Sequence, residues 1–596
     1  MTLPRDTVPV DRTWGDTSVF PTVEAWEAEL EAMLADLPAL AVFQSRLGES
    51  ASVLAEALHT RDELMRRAGR VFVYAMLGYA VETTDSAAVA RFGRAQAADA
   101  QVTAAAAFVE PEVLALGRER LRDWSAAEPS LVVYGHAFDD LARRAAHTRS
   151  AEVEEVLGLV SDAFSGPFSV YSALVDSDVA FAPAVPADGE AVEVTQGSID
   201  LLLASPDRTL RRSAWESYAD GYLGVRNALA ANLASTVKQS LFSTRVRRHT
   251  SALAASLSTS NVPVEVFDNL IAAFDANLPT WHRYWRLRRA IHGVEQLAPY
   301  DLAAPLGASS PVLEYDQCVE WICESLAPLG AAYVDTVRRG CLEERWVDVY
   351  PTAGKMGGAF SAGAPGTAPF IVMSFDGTAV NLGTLAHELG HSMHSYLTWQ
   401  SQPQVYTRYS LFVAEVASNF HQVMLRAHLL DTVDDRALQL TVLEEAMANF
   451  RRYFFIMPTL ARFERELHER VARGEGVTAE LLCDRMADLY AEGYGPGVEL
   501  DRERVGITWA QFGHLYEPFY VYQYATGIAG AHALARGVLD GEAGAAERYL
   551  EFLSSGDSMY PLDALRRAGV DLTSPEPVEE AFAVLASLVD RIEQLV

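Results

Sequence analysis

The chain has 596 residues, more than one compact core usually supports, so we expect more than one lobe. Half of its residues are hydrophobic and 21% are charged, a globular composition that argues against disorder. Its formal net charge of −32 argues against a surface for nucleic acid or anionic lipid, because such a surface needs clustered positive charge.

The N-terminus and the cysteines indicate the compartment. The opening MTLPRDTVPVDRTWGD shows no basic start followed by an apolar run, and no stretch approaches ~18 uninterrupted apolar residues. The four cysteines lack paired CxxC spacing, which predicts free thiols rather than a disulfide framework or a cysteine zinc site. We therefore expect a soluble, cytoplasmic protein with no membrane partner.

Helical periodicity dominates the chain from its beginning. Apolar residues at three- and four-residue steps predict helices over 23–40, 51–77, 88–110, 153–177, 198–240, 264–292, 312–340, 411–471 and 477–492. The main interruption is SDVAFAPAVPADGEAVEVTQGS (177–198), which holds prolines, a glycine and a short β-like AVEV. We place the boundary there, between an N-terminal helical region (1–185) and the rest of the chain (186–596).

A second irregular region covers 343–383. RWVDVYP and PFIVMSF (369–375) have the composition of strands, and they flank the loop GKMGGAFSAGAPGTA. A phosphate-binding loop is excluded, since Met356 follows Lys355 where that motif needs Ser or Thr. Two uses remain open: an edge strand that pairs with an extended peptide, or a plain connection between strands. The predicted class is mainly α with a small sheet.

The segment TLAHELGHSMHS (384–395) carries the chemistry. Asn381 can cap a helix over 382–397, in which His387 and His391 lie one turn apart and within ~40° of each other. Glu388 lies beside them, so the pattern is HExxH, in which two imidazoles bind zinc and the Glu deprotonates a zinc-activated water. The alternative interpretation is an ordinary polar helix face.

Two neighbouring residues bear on that choice. His394 lies on the same face but ~10 Å along the axis from His387, too far to share a metal with ~2 Å bonds, so it either supports the site or packs in the core. Gly390 argues against a merely polar face, because a mid-helix Gly costs ~1 kcal/mol and needs a reason such as the close approach of another backbone.

The third metal ligand is predicted in the next helix. Glu415 stands within LFVAEVA (411–417), where a buried carboxylate is costly without a positive partner. Zinc held by His387 and His391 is such a partner, and the set leaves a fourth position open for water. An ion pair with Arg408, or simple exposure, is the other interpretation.

TLAHELGHSMHS followed by FVAEVAS resembles the oligoendopeptidase F branch of the thimet-oligopeptidase family of zinc metallopeptidases. GTAPFIVMSFDGT, FGHLYEPFYVYQYATG (512–527) and FLSSGDSMYPLDALRRAGVDL (552–572) are similar to family segments, and the likeness weakens before about residue 350. The resemblance implies a two-lobed, mainly helical body with a small sheet beside the zinc helix and a deep substrate channel. It also implies that 1–185 is the family's N-terminal region and 186–596 its catalytic region.

The same resemblance implies roles for single residues. His387, His391 and Glu415 would hold one Zn²⁺ per chain, and Glu388 would act as general base and acid. One departure is Gln422, at a position where relatives often carry Glu.

The segment GHLYEPFYVYQYATG is unusually rich in tyrosine. Pro518 suits the start of a helix, which leaves His514 in the loop before it, and the four-residue step puts Tyr520 and Tyr524 on one face. The resemblance implies that His514, Tyr520 and Tyr524 stabilise the oxyanion of amide hydrolysis. Aromatic core packing is the alternative for each of them, and the choice of tyrosine stays open.

The predicted function is a zinc-dependent metalloendopeptidase that hydrolyses internal bonds of short, unstructured peptides. An exopeptidase that releases dipeptides would need an added site for a free terminus, typically an Arg. A non-catalytic peptide-binding protein would not require Glu388, and a structural zinc site would need a fourth Cys or His ligand. The oligomeric state and the physiological substrate stay open.

Overall fold

A computed structural model describes residues 3–307 and 311–596. Its α-helices, numbered in chain order from α1 to α24, are Val23–Ala41, Ala51–Val81, Ser86–Ala106, Val109–Leu116, Arg118–Ala127, Gly135–Arg144, Ala151–Ala173, Ile199–Leu203, Arg208–Gly224, Arg226–Val246, Ala252–Ser258, Val264–Ile291, Tyr315–Ser325, Ala331–Leu342, Ala379–Ser401, Leu411–Thr432, Arg436–Arg451, Met457–Ala472, Ala479–Tyr494, Arg502–Gly506, Tyr522–Leu539, Ala545–Leu553, Pro561–Ala568 and Glu576–Leu595.

The strands are few and short: β1 is Val347–Asp348, β2 is Phe360–Ala362 and β3 is Phe370–Val372. Their order is β1-β3-β2, with β1 parallel and β2 antiparallel to β3. The predicted class, mainly α with a small sheet, is confirmed. β2 was not expected, because it lies inside the Gly-rich segment and forms only by pairing with β3.

The chain divides into two compact units, each built from three separate segments. The first unit comprises Met1–Ala146, Val312–Asp431 and Leu534–Val570, and the second comprises His147–Pro311, Thr432–Ala533 and Asp571–Val596. The irregular segment 177–198 lies within the second unit, where Ala184 and Val192 form an isolated bridge. The two compact units therefore do not correspond to the two sequential regions 1–185 and 186–596. The boundary between those regions stays a prediction.

The first unit has its core between α1, α2, α3 and the sheet. Trp26 is fully buried, and its indole N–H donates to the carbonyl of Val71 at 2.9 Å. Phe370 of the central strand β3 joins the same core and contacts Trp14 edge to face at 6.2 Å. β3 is buried along its whole length, as its continuous apolar sequence requires.

A buried ion pair fastens the N-terminal segment to the sheet. Arg5 binds both oxygens of Asp348, at 2.7 and 2.6 Å, and Lys355 reaches the same carboxylate at 2.7 Å. The side chains of Asp348 and Lys355 are each 1% exposed, and burial lowers the pKa of Lys355. The lysine of the Gly-rich segment thus pairs with β1, which agrees with rejecting a phosphate-binding loop.

The second unit has an aromatic core formed by α12, α19 and the chain between α17 and α18. Trp285 stacks on Trp281 at 5.3 Å and meets Phe455 edge to face at 5.5 Å. Its indole N–H donates to Gly493 at 3.1 Å. Phe455 belongs to a π-helical turn, Arg452–Ile456, that joins α17 to α18, so the continuous pattern predicted over 411–471 folds as several elements.

All four cysteines are free thiols. None of the described helices combines the length and the apolar composition that spanning a bilayer requires.

Candidate functional site

The helix with the histidine motif, α15, begins earlier than predicted. Thr378 is its N-cap and accepts a hydrogen bond from the backbone N–H of Asn381 at 3.3 Å. Asn381, predicted as the cap, lies in the first turn, and its side-chain oxygen accepts from the backbone N–H of Asp376 at 2.5 Å. The prediction of Asn381 as cap is wrong because Thr378, three residues upstream, meets the same requirement for a side-chain acceptor.

Within α15 the two motif histidines converge. The rings of His387 and His391 lie 4.8 Å apart, as a four-residue step on one helix face requires. Glu415 of α16 completes the group, with its Oε2 3.5 Å from Nε2 of His387 and 4.0 Å from Nε2 of His391. In the described part of the chain, these three residues form the one His/Cys/Asp/Glu group with ligand atoms close enough to hold a metal, all within 4.8 Å.

Gly390 brings the two helices together. A Cβ at this position would lie 2.5 Å from the carbonyl oxygen of Ala417 and 2.6 Å from Cα of Ser418, both backbone atoms of α16. The predicted reason for this glycine, the close approach of another backbone, is confirmed. Any side chain here would push α16, and Glu415 with it, away from the histidines.

The three donors fit zinc. Bonds of ~2.0–2.1 Å in a tetrahedral arrangement put neighbouring ligand atoms roughly 3.4 Å apart. The two histidine–glutamate separations, 3.5 and 4.0 Å, are near that value, and with all three atoms within 4.8 Å the side chains need to close by about 1 Å at most. Two imidazoles and one carboxylate are also the donor types that zinc accepts in open, catalytic sites.

Two further side chains hold His387 and Glu415 in this arrangement. The Nδ1 of His387 lies 3.2 Å from Oε1 of Gln422, an acceptor, so Nδ1 carries the proton and Nε2 keeps its lone pair for a metal. The hydroxyl of Ser418 donates to Oε2 of Glu415 at 3.0 Å. The sequence singles out Gln422 as a departure from the family pattern, but it does not predict the role of Ser418. The sequence feature that could have indicated Ser418 is its place three positions after Glu415 in an otherwise apolar helix.

Glu388 faces a different environment from Glu415. It is 6% exposed, and its Oε2 has no hydrogen-bond partner in the described part of the chain. Burial raises the pKa of Glu388 to about 7, with the charge of Glu415 adding to the rise and His387 opposing it. A carboxyl group with a pKa near neutrality can both take and return a proton.

His394 is buried against aromatic side chains. Its ring stacks on Tyr409 at 3.6 Å and lies 5.4 Å from Phe552. Burial lowers the pKa of His394 to about 3, so the ring is neutral. The Tyr409 hydroxyl is in turn 2.7 Å from that of Ser395, which ties this part of α15 to the loop before α16.

The predicted oxyanion residues lie in the second unit and form one aromatic cluster. His514 is 5.7 Å from Tyr520 and 5.9 Å from Tyr524 between ring centroids, and the Tyr524 hydroxyl donates to that of Tyr520 at 3.1 Å. Burial lowers the pKa of His514, and the charge of Arg452 adds to the effect. His514 is therefore a neutral imidazole with an N–H to donate.

The other two tyrosines of this segment point elsewhere. The Tyr516 hydroxyl accepts from Asn232 at 3.2 Å, and the buried Tyr522 packs edge to face on Phe267 at 5.6 Å. Pro518 does not start the helix as predicted, because α21 begins at Tyr522 and Pro518 lies in a turn before it. The backbone N–H of Tyr520 donates to the carbonyl of Glu517 at 3.2 Å, so Pro518 takes the second position of a turn, which its fixed φ suits as well as it suits a helix start.

Comparisons with known proteins agree with this architecture. The sequence matches the family model described as Peptidase family M3 over residues 201–584 and the model described as Oligopeptidase F over 112–181. It is 36% identical over 592 residues to the oligopeptidase PepF of Bacillus subtilis (strain 168), covering 99% of this chain and 88% of the relative.

Two solved structures extend the similarity to the fold. A crystal structure of a Chlamydophila abortus protein superposes with a TM-score of 0.90 at 28% identity, covering 100% of both chains. Oligoendopeptidase-F from Enterococcus faecium superposes with a TM-score of 0.75 at 29% identity, covering 96% of this chain and 99% of that one.

Proposed function

This chain belongs to peptidase family M3, in its oligoendopeptidase F branch as the resemblance predicted, and we propose that it is a zinc-dependent endopeptidase acting on short, unstructured peptides. That it is an oligopeptidase follows from the family. The observation that carries the finer proposal is the convergence of His387, His391 and Glu415 beside the buried Glu388.

In this proposal His387, His391 and Glu415 hold the metal. When bound, zinc would polarise the scissile carbonyl and make a water molecule more acidic. Gln422 keeps the proton of His387 on Nδ1, and Ser418 orients the Glu415 carboxylate, so the donors are arranged before the metal arrives.

Glu388 is proposed to move the proton. It would take a proton from the attacking water and return it to the amine that leaves, a role that suits a buried carboxyl whose pKa is about 7. Its Oε2 has no competing hydrogen-bond partner within the described residues, which leaves it able to accept that proton.

We propose that the substrate backbone pairs with the edge strand β2. This strand is at the edge of the sheet, and the Ser361 hydroxyl lies 2.8 Å from that of Ser392 in α15. Within the described residues no further strand pairs with its outer side. An extended peptide can use such an edge for main-chain hydrogen bonds, which favours unstructured substrates.

We propose that His514, Tyr520 and Tyr524 donate to the oxyanion, on the strength of the family resemblance and their mutual contacts. A neutral imidazole and phenol hydroxyls are donors of the kind that stabilise a tetrahedral intermediate.

The test is cleavage of an internally quenched peptide blocked at both ends. Wild type should cut it, chelation should abolish the cut, and added zinc should restore it. Glu388→Gln should lower kcat by about 10²- to 10⁴-fold, because the general base is gone. The same variant should keep one zinc per chain, since the three proposed ligands remain.

A matched control is Glu320→Gln, which changes a surface carboxylate paired with Arg338 and should leave kcat unchanged. If zinc-loaded wild type spares the blocked peptide but cuts it with free ends, the protein is an exopeptidase. If it cuts neither, the peptide-binding alternative replaces the proposal.

A further inference from the structure

A strained turn separates His514 from Tyr520. The backbone N–H of Tyr520 donates to the carbonyl of Glu517 at 3.2 Å, with Pro518 and Phe519 as the two central residues. Pro at the second position and a positive φ at the third are the marks of a type II turn, which normally carries Gly at the third position. Here Phe519 occupies it with φ +57°, a left-handed conformation that is unfavourable for a residue with a Cβ.

The peptide group between Pro518 and Phe519 is held at both ends. The N–H of Phe519 donates to Oε1 of Glu464 at 2.6 Å, and the hydroxyl of Ser256 donates to the carbonyl of Pro518 at 3.0 Å. In a type I turn this peptide group is rotated by roughly 150° and both bonds are lost. The two side chains thus select the turn type that Phe519 by itself disfavours.

Glu464 is a carboxyl side chain in a buried position of α18. It is 2% exposed on α18, and no cation pairs with it in the part of the chain that the structure describes. Its Oε2 lacks a hydrogen-bond partner among the described residues, and burial raises its pKa to about 8. A buried carboxyl without a counter-charge is costly, so its burial here calls for a local reason. The bond to Phe519 supplies one.

The turn sets the position of the oxyanion residues. The backbone N–H of Glu517 donates to the carbonyl of His514 at 3.1 Å, so the turn follows His514 directly. Tyr520 is its last residue, and its hydroxyl accepts from Tyr524 at 3.1 Å. Rotating the central peptide would redirect Tyr520 relative to His514, which now lies 5.7 Å away between ring centroids.

We propose that Glu464 is a positioning residue for catalysis, which holds the Phe519 turn in its strained form and so aligns Tyr520 with His514. The inference rests on the proposed function, because it needs these two residues to act on the oxyanion. Glu464 is buried and contacts the turn, so it acts through the backbone of Phe519 rather than on substrate.

The experiment compares two substitutions of the same side chain with the blocked peptide as substrate. Glu464→Leu removes the acceptor at similar volume and should lower kcat about 10- to 100-fold, because a displaced oxyanion donor costs on that order. Glu464→Gln keeps an acceptor oxygen and should retain at least half of the wild-type kcat. KM should stay within about twofold in both, since the affected bonds act on the transition state.

A second variant and a control separate positioning from stability. Ser256→Ala removes the bond at the other end of the peptide group and should lower kcat about 3- to 10-fold. Thr459→Val changes another buried residue of α18, whose hydroxyl donates to Phe455 at 2.7 Å, and should keep kcat within about twofold of wild type even if it melts earlier.

Wild-type cleavage decides the proposed function, and only the ratios between variants decide the role of Glu464. A wild-type kcat in Glu464→Leu would overturn the positioning role. Equal losses in the Leu and Gln variants would overturn it as well. If Glu464→Leu does not fold, Ser256→Ala provides the test instead. A wild-type kcat in Ser256→Ala would then overturn the proposal.

Discussion

The tautomer of His387 is set by the group that its second nitrogen meets. Oε1 of Gln422 is 3.2 Å from Nδ1 and can only accept, so the proton stays on Nδ1 and Nε2 faces the other two proposed ligand atoms. The family resemblance implies that many relatives carry a glutamate at this position. Its carboxylate would accept the same hydrogen bond but with a full negative charge. The amide therefore preserves the geometry of the site while removing one negative charge beside it.

A prediction follows for zinc affinity. Gln422→Leu removes the acceptor and should weaken zinc binding by about 10- to 100-fold, because the imidazole loses its fixed tautomer and orientation. Gln422→Glu should bind zinc at least as tightly as wild type. Competition with a chromogenic chelator measures both without reference to catalysis.

The control for these variants is another glutamine of the first unit. Gln402→Leu removes a bond from the side-chain amide to the carbonyl of Ser554, 2.7 Å long, and should leave zinc affinity unchanged. Wild-type affinity in Gln422→Leu would show that the tautomer of His387 is set by something else.

At the scale of single elements, the contact between α15 and α16 brings the three proposed ligands together. Gly390→Ala would place a methyl group 2.5 Å from the carbonyl oxygen of Ala417, and backbone cannot move aside as a flexible side chain can. We expect the free energy of unfolding to fall by about 1–3 kcal/mol and zinc affinity to fall with it, because Glu415 moves with α16. Denaturant unfolding and chelator competition measure the two effects.

Gly93→Ala gives the matched comparison. Gly93 is also a helical glycine of the first unit, in α3, but its Cβ would meet nothing within 4 Å. Alanine there should raise stability by up to about 1 kcal/mol and leave zinc affinity unchanged. Equal behaviour of the two variants would contradict a special role for the contact at Gly390.

The elements differ in how far local sequence predicts them. The pattern over 264–292 agrees closely with α12, Val264–Ile291, because amphipathic periodicity is a local property. The spacing of His387 and His391 is equally local. By contrast, β2 forms only through pairing with a distant strand. The turn at Phe519 was not predictable either, since it depends on Glu464, 55 positions away.

At the scale of the whole molecule, each unit is assembled from segments far apart in sequence, so long-range polar contacts matter. Asp301 in the second unit is fully buried, and its carboxylate binds Arg208 of α9 at 2.8 Å and Arg211 of the same helix at 2.9 Å. The carbonyl of Asp301 also accepts from Arg288 of α12 at 3.0 Å. One short segment thereby links two helices of this unit.

Asp301→Asn should destabilise the second unit by about 3–5 kcal/mol at pH 7, because it leaves the buried guanidinium of Arg211 without its counter-charge. The exposed pair of Arg502 and Asp488 offers the comparison: Asp488→Asn should cost no more than about 1 kcal/mol. Denaturant unfolding measures both. Equal small losses would show that the buried pair contributes no more than a surface one.

The stability that the ionised Asp301 carboxylate contributes should depend on pH. Burial opposes ionisation of Asp301, but the bonds from Arg208 and Arg211 outweigh it, so its pKa lies below the ordinary value of 3.8. A depressed pKa contributes stability above the unfolded-state value, and that contribution is lost as the pH falls through the folded-state value. The difference between wild type and Asp301→Asn should therefore be constant from about pH 7 to pH 5 and shrink only below about pH 4. A difference that grew on acidification would mean that the charge of Asp301 does not stabilise this unit.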